Sequence, residues 1–248
     1  MKILVCISSV PDTTSKINFT ADGKAFDKNG IQFVINPYDE FALTRAVWFQ
    51  EKQGASVTVL TVGDATVEPV MRKALAIGAN DAIRVDIDPK DSFSTAKEIA
   101  KIVQENQYDL ILTGRESIDY NGNAVPAFLA AALDYSFVNN CIGLEIEGND
   151  GKAVSEIDGG KETVAFSLPA VVAGQKGLVE ENDLKIPNMR GIMQARTKPL
   201  QVVPASNAEP QVIADAFEKP APRSSVTLID KDNVDELVRL LHEEAKVI

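Results

Sequence analysis

Four short apolar runs alternate with helix-patterned segments through the first half of the chain, and this alternation restricts the fold more than any other feature. The runs are residues 2–7 (KILVCI), 57–62 (VTVLTV), 81–85 and 110–113. Their length and aliphatic content suit strands buried on both faces. Strand and helix repeating at this spacing imply a parallel sheet with helices on both sides, connected right-handed. The expected fold class is α/β, a doubly wound and mostly parallel sheet. In such sheets ligands sit outside the carboxyl ends of the strands, where the strand order reverses. The loops after Ile7, Val62 and Thr113, together with Asn36-Pro37, are therefore the candidate rim of one crevice.

The sharpest helix start is Asn36-Pro37-Tyr38-Asp39-Glu40, with Asn36 as N-cap, Pro37 at the first position and two carboxylates in the first turn. This helix is predicted to run to about Gln53, bury Ala42, Leu43, Ala46 and Phe49, and stop at Gly54. Further helices are predicted over 66–77, closed by Gly78, and 92–104, with Ala96, Ile99, Ala100 and Val103 inward. Residues 8–18 read as a polar loop. Residues 19–35 read as a hairpin, with turns at 21–24 and 27–30 and a strand at 31–35.

The stretch 108–134 carries the strongest site signal. The run 110–113 ends at Gly114, a polar loop covers 115–123, and a helix follows with Val125, Phe128, Leu129 and Ala132 on one face. Pro126 suits its first turn. A strand, a glycine, a polar loop and a helix N-terminus present free backbone N–H groups to an anion. Asn121, Gly122 and Asn123 can cap that end and allow close approach, Arg115 adds charge for a phosphate, and Asp119 offers an acceptor to a ribose hydroxyl. The alternative is an ordinary strand-to-helix loop.

Beyond Asp134 the pattern changes. Residues 137–147 and 153–168 alternate apolar and polar, with turns at 148–151 and 158–160, as antiparallel strands added to the sheet do. Residues 169–174 form another apolar strand. Residues 176–204 are polar and locally basic, with Arg190, Arg196 and Lys198. This yields a nucleotide-binding α/β domain over 1–204 and, over 205–248, an extended linker (205–223) leading to an amphipathic arm. The arm's helix is capped by Asp232 and aligns Val234, Leu237, Val238, Leu241 and Ala245. That face must be buried on its own domain or on a partner chain.

Net charge of −11 argues against binding a nucleic-acid backbone, which needs clustered Lys and Arg. No window of 18 apolar residues predicts a membrane span, and the N-terminus reads as a first strand rather than a signal peptide. Two cysteines, Cys6 and Cys141, suit a reducing cytoplasm. The single histidine, His242, lies in the last helix, so neither zinc nor iron has its usual ligand set. No G-x-G-x-x-G, P-loop or G-x-S-x-G elbow occurs. The chain has a place to hold a nucleotide and no evident machinery to cleave one.

Residues 153–164 (AVSEIDGGKETV) followed by 169–173 (PAVVA) resemble the signature of electron transfer flavoprotein beta subunits, with Ser155 standing where the signature has Lys or Arg. The resemblance extends over essentially the whole chain through 36–40 (NPYDE), 73–79 (KALAIGA) and 192–199 (IMQARTKP). It implies a universal-stress-like, adenine-nucleotide-binding fold. It implies a heterodimer whose alpha subunit carries redox-active FAD, with a structural AMP in the beta subunit. Electrons would pass from acyl-CoA dehydrogenases to a membrane quinone oxidoreductase. The AMP site so implied comprises Cys6 (backbone), Asn36, Pro37, Tyr38, Asp39, Val62, Gly63, Gly114, Arg115, Glu116, Asp119, Asn121, Gly122, Asn123, Ala124 and Val125, with Tyr38 and Thr13 near the alpha subunit's flavin.

The loop departs from the family pattern. Many members have Gly-Lys-Gln-Ala-x-Asp and later Asn-Gln-Thr-Gly where this chain has Gly114-Arg115-Glu116-Ser117-Ile118-Asp119 and Asn123-Ala124-Val125-Pro126. Phosphate contact at Ala124 and Val125 then falls to backbone amides. Residues 186–190 resemble the loop that docks dehydrogenases, with Ile186 or Met189 as apolar anchor and Arg190 beside it; Leu237 and Leu241 would pack on the alpha subunit. Two other readings compete. One is a bifurcating relative with a second FAD in place of AMP. The other is a stand-alone universal-stress-type nucleotide sensor, which would have no use for the hairpin or the arm.

Overall fold

The computed structural model describes residues 1–222 and 225–248. Two compact units emerge: Met1–Ile17 with Asp27–Asp215, and Asn18–Phe26 with Ala216–Ile248.

In chain order the first unit contains β1 (Lys2–Cys6), β2 (Ser9–Pro11), β3 (Phe33–Ile35), α1 (Pro37–Gln53), β4 (Ser56–Val62), α2 (Glu68–Ile77), β5 (Asp81–Asp86), α3 (Ser92–Asn106), β6 (Leu110–Gly114), α4 (Val125–Leu133), β7 (Ser136–Glu147), β8 (Asp150–Ile157), β9 (Gly160–Ser167), β10 (Ala170–Gly174), α5 (Met189–Ala195) and β11 (Leu200–Pro204). The main sheet runs β11-β5-β4-β1-β6-β10-β7-β8-β9. Every pairing from β11 to β7 is parallel, and β8 and β9 extend β7 as an antiparallel hairpin. The expected doubly wound sheet with antiparallel additions is therefore present.

Burial explains the layering. Ile3, Leu4 and Val5 of β1 are all fully buried, because helices cover both faces. Ile3 and Val5 face α1 and α2 through Leu43, Ala46 and Met71, whereas Leu4 and Cys6 face α3 and α4 through Ile99 and Leu129. The chain moves from β1 to β4 and β5 on one side, then crosses to β6 on the other, so the strand order reverses at β1. Gly54, at φ 69°, closes α1 in the left-handed conformation. Asp91 caps α3 by accepting from the Ser94 amide at 2.8 Å.

Three local expectations change. Residues 19–35 do not pair as a hairpin: β3 instead pairs antiparallel with β2, inside the segment expected to be a polar loop, and Phe19 and Phe26 form only an isolated bridge. Val10 and Ile35 are buried in this pair, a non-local gain that the turn signals do not report. Residues 200–204, read as part of a polar stretch, form β11 on the edge beside β5. Between Pro199 and Pro204, with Val202 largely exposed, the segment lacks the aliphatic density of a central strand. The last helix, α6 (Val234–Arg239), is capped by Asn233 rather than Asp232 and continues into a π-helical turn at Leu240–Glu244.

In the second unit Phe19 stacks on Phe217 at 5.4 Å, and the Phe217 amide donates to Gly23 O at 2.8 Å. Val234, Leu237 and Val238 are exposed, while Leu241 is half-buried. His242 is a surface residue. The linker expected over 205–223 is described as far as residue 222; Arg223 lies outside the described residues.

Candidate functional site

The carboxyl ends of β1, β4, β6 and β10 meet at the point where the strand order reverses. The first turn of α1 enters this edge. Asp39 is buried there, and its two carboxylate oxygens are divided between strands. Oδ2 accepts from the Ser8 amide after β1 at 2.7 Å, and Oδ1 accepts from the Gly114 amide at the end of β6 at 2.7 Å. Burial pushes its pKa up to about 7, against the pull of hydrogen bonds from Ser8, Gly114 and Asn36, and the charge of Asp119 raises it further. A Cβ on Gly114 would collide with Asp39 and come within 2.6 Å of Tyr38 Cβ, so only glycine fits.

Asn36 occupies the N-cap position of α1 without capping it through its side chain. Fully buried, it reaches across to the β6–α4 loop instead. Its Nδ2 donates to Glu116 O at 2.9 Å, and its Oδ1 accepts from the Ile118 amide at 3.2 Å. The start of α1 therefore holds the loop at three points: Gly114, Glu116 and Ile118. Pro37 locks the first turn that presents these groups.

Arg115 is committed within the protein. Its Nη2 donates to Glu116 Oε1 at 2.6 Å, its Nη1 donates to Gln175 Oε1 at 3.2 Å, and its guanidinium lies 5.3 Å from the Tyr38 ring centroid. Gln175 donates onward to Glu156 on β8. Gln175 was not legible as a site residue, because its place depends on β10 inserting between β6 and β7.

The rest of the loop is open. Asp119, Asn121, Gly122 and Asn123 are exposed, with Asn121 and Asn123 in the left-handed region at φ 49° and 43°. Neither asparagine caps α4. The N-cap residue is Ala124, which has no side chain able to do so, and Asn123 Oδ1 accepts from Asn139 on β7 at 3.3 Å. The first-turn amides of α4 thus carry no side-chain cap. Thr113 lies two residues beyond Ile111, on the sheet face that Ile111 shares with Leu129 and Ala130 of α4. Its hydroxyl is buried and has no hydrogen-bond partner.

On the β4 side, Val62 and Gly63 end the strand. The Gly63 amide donates to Val85 O at 3.0 Å, and the buried Arg84 donates to Gly63 O at 3.0 Å. Cys6, at the end of β1, is a buried thiol held neutral by burial and by the charge of Asp39. Thr13 is exposed in the turn where Asp12 accepts from Thr14. The other candidates lie elsewhere: Ile186, Met189 and Arg190 are exposed at and just before α5, and Leu237 and Leu241 belong to the second unit. No group of three or more His, Cys, Asp or Glu among the described residues could hold a metal ion.

Residues 24–208 match the model of the electron transfer flavoprotein domain. The chain belongs to the electron transfer flavoprotein family. It is 33% identical to the electron transfer flavoprotein subunit beta of Bacillus subtilis, over the full length of both chains. Its identity is 35% to the same subunit of Syntrophomonas wolfei, covering 94% of this chain and 92% of that one, and 31% to the human subunit, covering 82% and 81%. The family match takes in the rim from Asn36 to Gln175, while Cys6 and Ser8 of the β1 end precede it. No helix among the described residues is long and apolar enough to cross a membrane.

Proposed function

We propose that this chain is the beta subunit of a heterodimeric electron transfer flavoprotein and holds a structural AMP between β1, β4 and the β6–α4 loop. The observations that carry the reading are the uncapped N-terminus of α4 and, at the end of β6 before it, the unpartnered, buried hydroxyl of Thr113. Amides at a helix start favour a phosphate, and a buried hydroxyl lacking a partner fits a polar ligand. In this reading the side-chain anchors common at Ala124 and Val125 are replaced by backbone N–H groups. Arg115, tied to Glu116, acts by holding the loop. Asp119 and Asn121 are open to solvent and available to a ribose.

FAD in the alpha subunit would supply the redox chemistry, near Tyr38 and Thr13, and electrons would pass from acyl-CoA dehydrogenases to a quinone oxidoreductase. The exposed apolar stripe Val234, Leu237 and Val238, with Leu241 beside it, would pack on the alpha subunit. Both cysteines are free and buried, which supports work in a reducing compartment.

Ile186 and Met189, 83% and 76% exposed, are the proposed dehydrogenase anchors. Their support is built from α2. Lys198 Nζ donates to the carbonyls of Leu75 and Ala79 at 2.9 and 2.5 Å, and Arg72 donates to Ala195 and Lys198 at 2.7 and 2.8 Å. Gly191 approaches the carbonyl of Ala76 so closely that a Cβ would collide with it. Gly191→Ala is expected to cost about 1–3 kcal/mol in denaturant unfolding and to weaken electron transfer from the dehydrogenase while nucleotide content stays unchanged. An unaltered dehydrogenase rate in that variant would remove α5 from the docking surface.

The decisive test is the nucleotide content of the purified heterodimer, released by denaturation and separated by chromatography. One FAD and one AMP per heterodimer are expected. Two FAD and no AMP would make the crevice a redox site and the protein a bifurcating enzyme, overturning the carrier reading.

A further inference from the structure

We propose that Asp39 is a positioning residue whose ionised carboxylate ties the two sides of the nucleotide crevice together, so that nucleotide retention depends on its charge. The inference rests on the nucleotide reading above and concerns how that site is controlled.

The geometry is specific. One carboxylate takes one N–H from each of two segments at the ends of neighbouring parallel strands, Ser8 after β1 and Gly114 at the end of β6. Gly114 is shaped to receive it, having no space for a Cβ. The loop that starts at Gly114 is the one that leads to the uncapped start of α4. No Lys or Arg among the described residues forms an ion pair with Asp39. The titratable groups that act on it are Cys6 on β1 and Asp119 in the β6–α4 loop, and the remaining polar neighbours are Asn36 and the two amides. The charge is therefore held by the two loop amides and the Asn36 side chain and not by a counter-ion.

A carboxylate accepts at both oxygens, whereas a carboxylic acid presents a hydroxyl at one of them and can satisfy only one of the two amides there. Protonation therefore releases either the Ser8 or the Gly114 side. Because burial places the pKa at about 7, the release falls near neutrality.

The consequence for stability has the opposite sign. The unfolded carboxyl has its ordinary value of 3.8, so Asp39's contribution to folding is complete below that value and is lost as pH rises through about 7. Nucleotide retention should strengthen over the same interval in which this contribution to stability declines. A residue with only a structural role would move the two together.

The test uses the intact heterodimer and AMP as probe. The AMP dissociation constant and melting temperature are measured from about pH 5.5 to about pH 8.5 for the wild type and for Asp39→Asn, whose amide can accept only one of the two N–H groups. The phosphate of AMP titrates near pH ~6 in both proteins, so the ratio of their constants isolates Asp39. The wild type is expected to bind about tenfold more tightly than the variant at the alkaline end, with the ratio falling towards one at the acid end. A ratio independent of pH would overturn the proposal, as would a wild-type-to-variant affinity ratio that rises and falls with the difference between their melting temperatures. If neither protein binds AMP at any pH, the nucleotide reading itself fails. AMP bound with a flat ratio defeats the Asp39 proposal alone.

Discussion

Gly114→Ala is expected to strip the nucleotide from the purified heterodimer and to lower its unfolding free energy by about 1–3 kcal/mol, the usual cost of overfilling a packed site. The added Cβ would meet three atoms that cannot all move: the Asp39 carboxylate, Tyr38 Cβ at 2.6 Å and the Tyr38 carbonyl carbon at 3.0 Å. All three belong to the first turn of α1, which Pro37 stiffens. The strain has to be relieved by moving Gly114 away from Asp39, which breaks the 2.7 Å hydrogen bond and carries the β6–α4 loop with it. The nucleotide dissociation constant should rise about tenfold or more, as a loss of about 1.4 kcal/mol in binding requires. Gly160→Ala, where no atom lies within 4 Å of the added carbon, serves as the control and should stay within about 0.5 kcal/mol of the parent. A Gly114→Ala heterodimer with full nucleotide content and an unchanged urea midpoint would show that the Asp39–Gly114 contact does not set the loop.

That contact also marks where the sequence stops being legible. The aliphatic runs at 2–7, 57–62, 81–85 and 110–113 identify β1, β4, β5 and β6, because strands buried on both faces need continuous apolar side chains. The Asn36-Pro37 helix start is equally plain, since capping chemistry is local. What Asn36 does with its side chain is not local: its partners are Glu116 and Ile118, 80 and 82 residues away. The same limit applies to Arg115. Read along the chain, it is a free cation in a polar loop; in the fold it is occupied by Glu116, Gln175 and the Tyr38 ring. The strand at 170–174 is visible as an apolar run, but nothing in the run says that it lies between β6 and β7. Lys198 gives the same lesson: one of several basic residues in a polar stretch, it turns inward onto the carbonyls of Leu75 in α2 and of Ala79 just beyond it, and burial lowers its pKa. The motif 73–79 and the basic pair Arg196 and Lys198 look separate in sequence, yet Lys198 joins them.

Glu98→Ala should release the chain that follows β11. Residues 206–212 do not run free as a linker composition suggests. Glu98, 2% exposed on α3, accepts from the Ser206 amide at 2.7 Å, the Ser206 hydroxyl at 2.9 Å and the Ala208 amide at 2.9 Å. About two turns earlier, Asp91 accepts from the amides of Gln211 and Val212 at 2.7 and 3.0 Å while its other oxygen caps α3. Two carboxylates thus hold four amides and a hydroxyl of a strap that ends the first unit at Asp215. Hydrogen bonds to a charged acceptor are worth about 1.5–3 kcal/mol each, but freed donors on a surface strap regain water, so the net loss should be about 2 kcal/mol. Limited proteolysis should then cut within 205–215 at least about tenfold faster than in the parent, with Glu98→Gln intermediate because its amide oxygen still accepts. For both carboxyls burial opposes the charge, yet the accepted donors outweigh it and hold each pKa below its ordinary range. The sign follows from that direction: the clamp's contribution is complete above the unfolded values of 4.5 and 3.8 and is lost as pH falls through the lower folded ones. Strap cleavage should therefore be insensitive to pH around neutrality and accelerate only in acid, whereas Asp39 acts near pH 7, so the two carboxylate devices can be separated by pH alone. Cleavage of Glu98→Ala at the parental rate would mean that the strap is held by something other than α3.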